Sequence, residues 1–286
     1  MKSILVPTDF SPISKNALAY AVNLAENLDA QITLLHAYHT FSININPSLL
    51  IKEYKEDVEL FKRVSEIQLK AFCEEIKNTT SCQCGYVNYQ GLAKDVIVEY
   101  ANKTKPDLLI IGTENLMPIE RIVYGTVTGK IIKEVDCSIM VIPEDVKYTT
   151  PKKIAFAIDY HDSDIDEVLF IENLSKKFNS KTLIVHVMKD TEDVLFEENY
   201  FMNTQVEIKK RISKNKTTFN LINGNNITEE LEKYVTDESI DILAVAKTKK
   251  TFLERLFSGS VSQKLFYHIN MPLLIFEAKD IPEDII

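Results

Sequence analysis

The chain repeats itself, and that repeat constrains its fold more than any other feature. Lys2-Ser3-Ile4-Leu5-Val6-Pro7-Thr8-Asp9 matches Lys152-Lys153-Ile154-Ala155-Phe156-Ala157-Ile158-Asp159, and Leu34-Leu35-His36-Ala37 matches Ile184-Val185-His186-Val187, both 150 residues apart. Further on the separation falls to 134. Asp107-Leu108-Leu109 matches Asp241-Ile242-Leu243, and Glu120-Arg121 through Gly125-Thr126 to Lys130 matches Glu254-Arg255 through Gly259-Ser260 to Lys264. Two constant registers with one change between them imply a duplicated domain, with the second copy shorter by 16 residues somewhere after its second strand. The polar stretch Glu144 to Pro151 marks the join, giving domains at 1–146 and 151–286.

Each copy alternates strand and helix. In the first, strands are expected at Ile4 to Pro7, Gln31 to Ala37, Gln83 to Tyr89, Asp107 to Ile111 and Ser138 to Ile142. Ser11-Pro12 supplies an N-cap followed by proline at the first helical position, and Ala17, Leu18, Ala21, Leu24 and Leu28 follow at helical spacing. Further helices are expected at Glu53 to Lys77, Ala93 to Lys103 and Thr126 to Glu134. Leu108-Leu109-Ile110-Ile111 is apolar on both faces, as a parallel sheet covered by helices on both sides requires. The fold class is therefore α/β: two tandem doubly wound domains, each a five-stranded parallel sheet. The fifth strands, Ser138 to Ile142 and Pro272 to Phe276, are too apolar to remain open sheet edges. They are expected to pair with each other, making the chain an internal pseudo-dimer.

Composition narrows the function classes. A net charge of −9 disfavours nucleic acid and anionic membrane as partners, and no apolar run approaches the ~18 residues of a membrane helix. The opening Met1-Lys2-Ser3-Ile4-Leu5-Val6-Pro7 reads as a strand rather than a signal peptide, so a cytoplasmic protein is expected. Cys73, Cys82, Cys84 and Cys137 are too few and uneven for a disulfide framework, and no further ligands lie near enough for a metal site. No nucleophile elbow, zinc-protease helix or kinase signature occurs, so no catalytic residue is assigned.

Ligands of such sheets bind beyond the carboxyl ends of the strands, where strand order reverses. The loop after the first strand, Pro7-Thr8-Asp9-Phe10-Ser11-Pro12, has no glycine, which argues against a dinucleotide fingerprint or a P-loop. Asp9 offers a carboxylate suited to ribose hydroxyls, or a helix cap. After the fourth strand comes Gly112-Thr113-Glu114-Asn115, nine residues, then Gly125-Thr126-Val127-Thr128 opening a helix. Glycine lets a ligand approach the backbone, and Gly-Thr at a helix start presents N–H groups and a hydroxyl to an anion. His36, His39 and His186 have no metal or catalytic partners in sequence and read as structural.

With these motifs the chain resembles the universal stress protein family, as two tandem domains of adenine-nucleotide-hydrolase-like fold. The resemblance implies a stress-response or regulatory protein that binds ATP, or ADP or AMP, with Mg²⁺, and that hydrolyses ATP slowly at most. It implies nucleotide contacts from Asp9, Ala37, Gly112, Asn115, Gly125, Thr126 and Thr128, with Asn115 standing where the family has its second glycine. The second copy carries Ala246 and Lys249 in place of Gly112 and Asn115, and is expected to have lost the ligand, through strain if those positions need φ > 0 and through a Cβ where phosphate or ribose would pack; the alternative is that Lys249 reaches a phosphate as a point charge. The second copy keeps Asp159, Gly259, Ser260 and Ser262. The long amphipathic helix of the first copy is expected to roof part of the site. The competing readings are a nucleotide-free scaffold for an unidentified protein partner, homodimeric or not, and an ATP-pyrophosphatase-type enzyme. The latter would want a Ser-Gly-Gly loop where Thr8-Asp9-Phe10-Ser11 stands.

Overall fold

The computed structural model describes residues 1–39, 47–114, 127–158, 164–188, 194–212, 216–246 and 271–276. In chain order the first copy contains β1 (Ser3–Pro7), α1 (Pro12–Leu28), β2 (Gln31–Tyr38), α2 (Pro47–Thr79), β3 (Cys84–Gln90), α3 (Ala93–Thr104), β4 (Leu108–Thr113), α4 (Val127–Glu134) and β5 (Ile139–Pro143). The second contains β6 (Lys153–Ala157), α5 (Asp164–Phe178), β7 (Lys181–Met188), α6 (Val194–Arg211), β8 (Thr217–Asn223), α7 (Ile227–Asp237), β9 (Ile242–Ala246) and β10 (Leu273–Phe276).

All ten strands form one sheet in the order β3-β2-β1-β4-β5-β10-β9-β6-β7-β8. Every pairing is parallel except β5 with β10, which join the copies antiparallel through Val141↔Leu273, Met140↔Leu274 and Ile139↔Ile275. Met140 and Leu274 occupy equivalent positions, so the pairing is symmetric about them, as a pseudo-two-fold axis demands. Both fifth strands thereby become fully buried interior strands, and the expected edge pairing is found.

The repeat registers reappear as bonds. Asp107 Oδ2 accepts from the N–H of Lys2 (2.6 Å) and Ser3 (2.9 Å); Asp241 Oδ2 accepts from Lys152 (2.7 Å) and Lys153 (2.8 Å). The Nδ1 of His36 lies 2.7 Å from the Thr8 carbonyl, and that of His186 lies 2.9 Å from the Ile158 carbonyl. Each imidazole ties its second strand to the end of its first. The shortening of the second copy falls on one crossover: α2 has 33 residues and α6 has 18.

The cap of α1 forms as its sequence dictates. Ser11 takes extended backbone and its hydroxyl accepts from Ser14 N–H at 3.2 Å, with Pro12 opening the first turn. Ala17, Leu18, Ala21 and Leu24 then bury against Ile4, Val6, Leu108 and Ile110. Right-handed crossovers running outward from β1 to β3 put α1 and α2 on one face, and the return from β3 to β4 puts α3 and α4 on the other. The α1 face is continuous across the join, where Phe276 meets Phe156 (5.2 Å) and stacks on Phe170 (5.3 Å). Helix α2 begins earlier than its periodicity suggests, at Pro47 rather than Glu53.

Candidate functional site

The reversal of strand order between the parallel neighbours β1 and β4 opens a cavity of about 370 Å³ at the carboxyl end of the first copy's sheet. That volume lies within the range of small-molecule sites. Its floor is Leu35 and Ala37 of β2 with Ile111, Gly112 and Thr113 of β4; one wall is Ala93 and Ile97 of α3. The loop from Pro7 to Asp9 and the first turn of α1 form the rim, and Val127 and Thr128 of α4 close the far side. Asp9, Ala37, Gly112 and Thr128 thus converge on one cavity, although they come from four separate segments. Asn115, Gly125 and Thr126 lie outside the described residues, as do Asp159, Lys249, Gly259, Ser260 and Ser262 in the second copy.

The glycine-free loop after β1 is held by side chains instead. Thr8 Oγ1 accepts from Phe10 N–H (3.1 Å) and lies 3.1 Å from Ser14 Oγ, while Thr8 N–H donates to the Leu35 carbonyl (2.9 Å). Phe10 is forced to φ 64°, a conformation that bulky residues take only where their surroundings impose it. Its ring is fixed against His36 (4.6 Å) and Phe72 of α2 (5.8 Å). This turn aims Asp9 at the cavity mouth. Burial pushes the Asp9 carboxyl up, but hydrogen bonds from Ser11 and Ser14 outweigh it and hold the group below the usual aspartate range. Ser11 N–H donates to Asp9 Oδ1 at 3.0 Å, so the helix cap belongs to Ser11 and Asp9 braces the turn before it.

Gly112 is required for a reason its motif does not reveal. A Cβ there would fall 2.6 Å from Ile13 Cγ2 and 2.8 Å from the Ile13 carbonyl oxygen. Among the described glycines only Gly91 has positive φ, so Gly112 serves the close approach of α1's first turn to β4, not a left-handed backbone. The expected strain at Ala246 is accordingly absent: this residue continues β9 in ordinary strand geometry.

The described part of the second copy differs from the first elsewhere. Among the described residues, Ala157, Ile158, Val185, His186, Val187, Ile227 and Leu231 of the second copy, the equivalents of the first cavity's floor and α3 wall, enclose about 10 Å³. Val187 stands where the first copy has Ala37, and Ile227 where it has Ala93. The two extra side-chain carbons of Val187 and the three of Ile227 occupy the slot between the second strand and the third helix. Sequence reasoning missed Ala93 and Ile97 altogether, although the repeat register pairs them with Ile227 and Leu231. Among the described residues no side chain of α2 lines the cavity. Its contribution is the Phe72 contact behind Phe10.

Among the described residues no group of three His, Cys, Asp or Glu side chains is placed to hold a metal, and no helix is long and apolar enough to cross a membrane. The fold and site define a duplicated doubly wound α/β protein with an open strand-tip cavity in its first copy. The sequence model of the universal stress protein family matches residues 1–143 and again 151–277, and the chain belongs to that family as a tandem two-domain member. It is 30% identical over 161 residues to universal stress protein MJ0531 of Methanocaldococcus jannaschii, covering 51% of this chain and 84% of that protein. Among solved structures, a universal stress protein from Archaeoglobus fulgidus is similar over 99% of this chain and 97% of its own, with a TM-score of 0.70 at 13% identity. A second, from Pseudomonas aeruginosa, covers 100% of this chain and 95% of its own, with a TM-score of 0.57 at 10% identity. At these identities the structural likeness establishes the fold.

Proposed function

We propose that the N-terminal copy binds one adenine nucleotide and that the C-terminal copy acts as its built-in dimer partner, in a regulatory or stress-response protein. The observation that carries this reading is the open cavity of the first copy, about 370 Å³, against about 10 Å³ between the described equivalents of its floor and α3 wall in the second. The slot between Ala37 and Ala93 is narrow, apolar and floored by strand backbone, which suits a flat base. Asp9 at the mouth is an ionised acceptor for ribose hydroxyls. The amino end of α4, with the Thr128 hydroxyl, supports phosphate, since the first N–H groups of a helix have no partners within it. The described lining includes the carboxylates Asp9 and Glu114 and no cationic side chain. A polyphosphate would therefore be favoured with Mg²⁺ to offset repulsion.

Chemistry at the site is at most slow hydrolysis: Asp9 is committed to bracing its own turn, leaving it a poor base for water. Calorimetric titration of the full chain with ATP, ADP and AMP, with and without Mg²⁺, tests the proposal. Saturation near one nucleotide per chain is expected. Two equivalent sites would refute the asymmetry, and no heat with any nucleotide would favour the nucleotide-free scaffold.

A further inference from the structure

All four cysteines lie in the first copy, and two of them meet where α2 packs on β3, the outermost strand of the sheet. Cys73 shares the buried face of α2 with Leu69 and Ile76, and Cys84 opens β3. Their sulfurs lie 2.9 Å apart. A disulfide needs about 2.05 Å, so closure asks for a movement of roughly 0.9 Å. The other two cysteines are occupied differently. Cys82 Sγ is turned toward the Ala30 and Gln83 carbonyls, 3.6 Å from each, and Cys137 is buried in the core on the opposite face.

We propose that Cys73 and Cys84 are a dithiol oxidation site, closed to an intramolecular disulfide by a hydroperoxide. The Cys73 sulfur attacks one peroxide oxygen, the O–O bond breaks, and the departing hydroxide leaves as water, giving a sulfenic acid. The Cys84 sulfur then attacks the Cys73 sulfur; the S–O bond breaks, and the hydroxyl departs as water with the Cys84 proton. Two thiols and one hydrogen peroxide become one disulfide and two waters. The hydrogen bond from Cys84 holds the Cys73 thiol below the usual cysteine range, aided by Lys77 one turn along, which favours Cys73 as the attacking sulfur. Both thiols are buried, but they sit under an edge strand where Gly85 faces open space, and hydrogen peroxide is little larger than water. The cross-link would staple α2 to the sheet edge. Phe72 adjoins Cys73 and backs Phe10, so the staple would also fix the helix behind the turn that carries Asp9.

The test treats the reduced, folded full chain with hydrogen peroxide, unfolds it in N-ethylmaleimide and measures its mass. The expected product has lost two hydrogens and carries two labels instead of four. A non-reducing digest joins the peptides of Cys73 and Cys84, and dithiothreitol restores four labels. Cys82→Ser should keep the link, and the oxidised chain should melt higher than the reduced one. A link through Cys82 or Cys137, sulfinic acid without a link, or four free thiols after treatment would overturn the proposal. The wild-type chain is read directly, so the result does not depend on a variant folding.

Discussion

Replacing Gly112 by alanine tests the packing that shapes the site. The added Cβ would sit 2.6 Å from Ile13 Cγ2 and 2.8 Å from the Ile13 carbonyl oxygen, where ordinary contacts are about 3.5–4.0 Å. Roughly 1 Å of relief is needed in each direction. The side chain can rotate, but the carbonyl belongs to α1's first turn, which the Ser11 cap and the Thr8–Ser14 contact hold in place. Overpacking of this kind costs about 1–3 kcal/mol. For a protein of this size that lowers the melting temperature by about 2–12 °C. Urea denaturation followed by circular dichroism reads the loss. Ile13→Ala in the same chain removes the Cγ2 contact and leaves the carbonyl one, so the double variant should recover only part of it, with a measurable coupling energy. A Gly112→Ala chain within 0.5 kcal/mol of wild type, or a double variant that recovers fully, would show that the backbone approach does not govern this position.

Three further outcomes follow from the same structure. Ala37→Val with Ala93→Ile installs the second copy's residues in the first, and should weaken ATP binding at least about tenfold in calorimetry while the chain stays folded; unchanged affinity would remove the slot from the site. Asp107→Asn should destabilise by about 1–2 kcal/mol at pH 7. Burial raises the Asp107 carboxyl, but hydrogen bonds from Lys2 and Ser3 hold it below its usual value, so the stabilisation is present above about pH 4 and fades as pH falls through the lower folded value. Denaturation of both chains at pH 7 and pH 3 should show the gap closing; a gap that widens in acid would contradict the assignment. Val141→Pro should cost about 3 kcal/mol or more and disrupt both copies, since β5 pairs with β4 on one side and β10 on the other. Two independent unfolding transitions, with only the first copy affected, would contradict the continuous sheet.

Much of this architecture is written in local pattern. The separations of 150 and 134 residues fix the duplication, and the same registers return as the paired Asp107 and Asp241 bonds and the paired His36 and His186 struts. The apolar runs at Ile139 and Leu273 foretell that two sheet edges must meet, because a strand's side chains and its unpaired backbone groups are properties of that strand alone. Ser11-Pro12 marks a helix start for the same reason: a cap and its helix are neighbours in the chain. Cavity volume has no such local source. Whether the first slot is open depends on Ala37 facing Ala93, and how the described part of its twin is filled depends on Val187 facing Ile227. Each pair comes from segments some 40 or more residues apart, which only the packed sheet brings together. The glycine motif likewise announces Gly112 but not its partner, since Ile13 approaches from a helix a hundred residues earlier. Sequence determined which elements form and in what order they repeat; close packing, which sums over distant side chains, decided that the slot between Ala37 and Ala93 is open and that the described one between Val187 and Ile227 is filled.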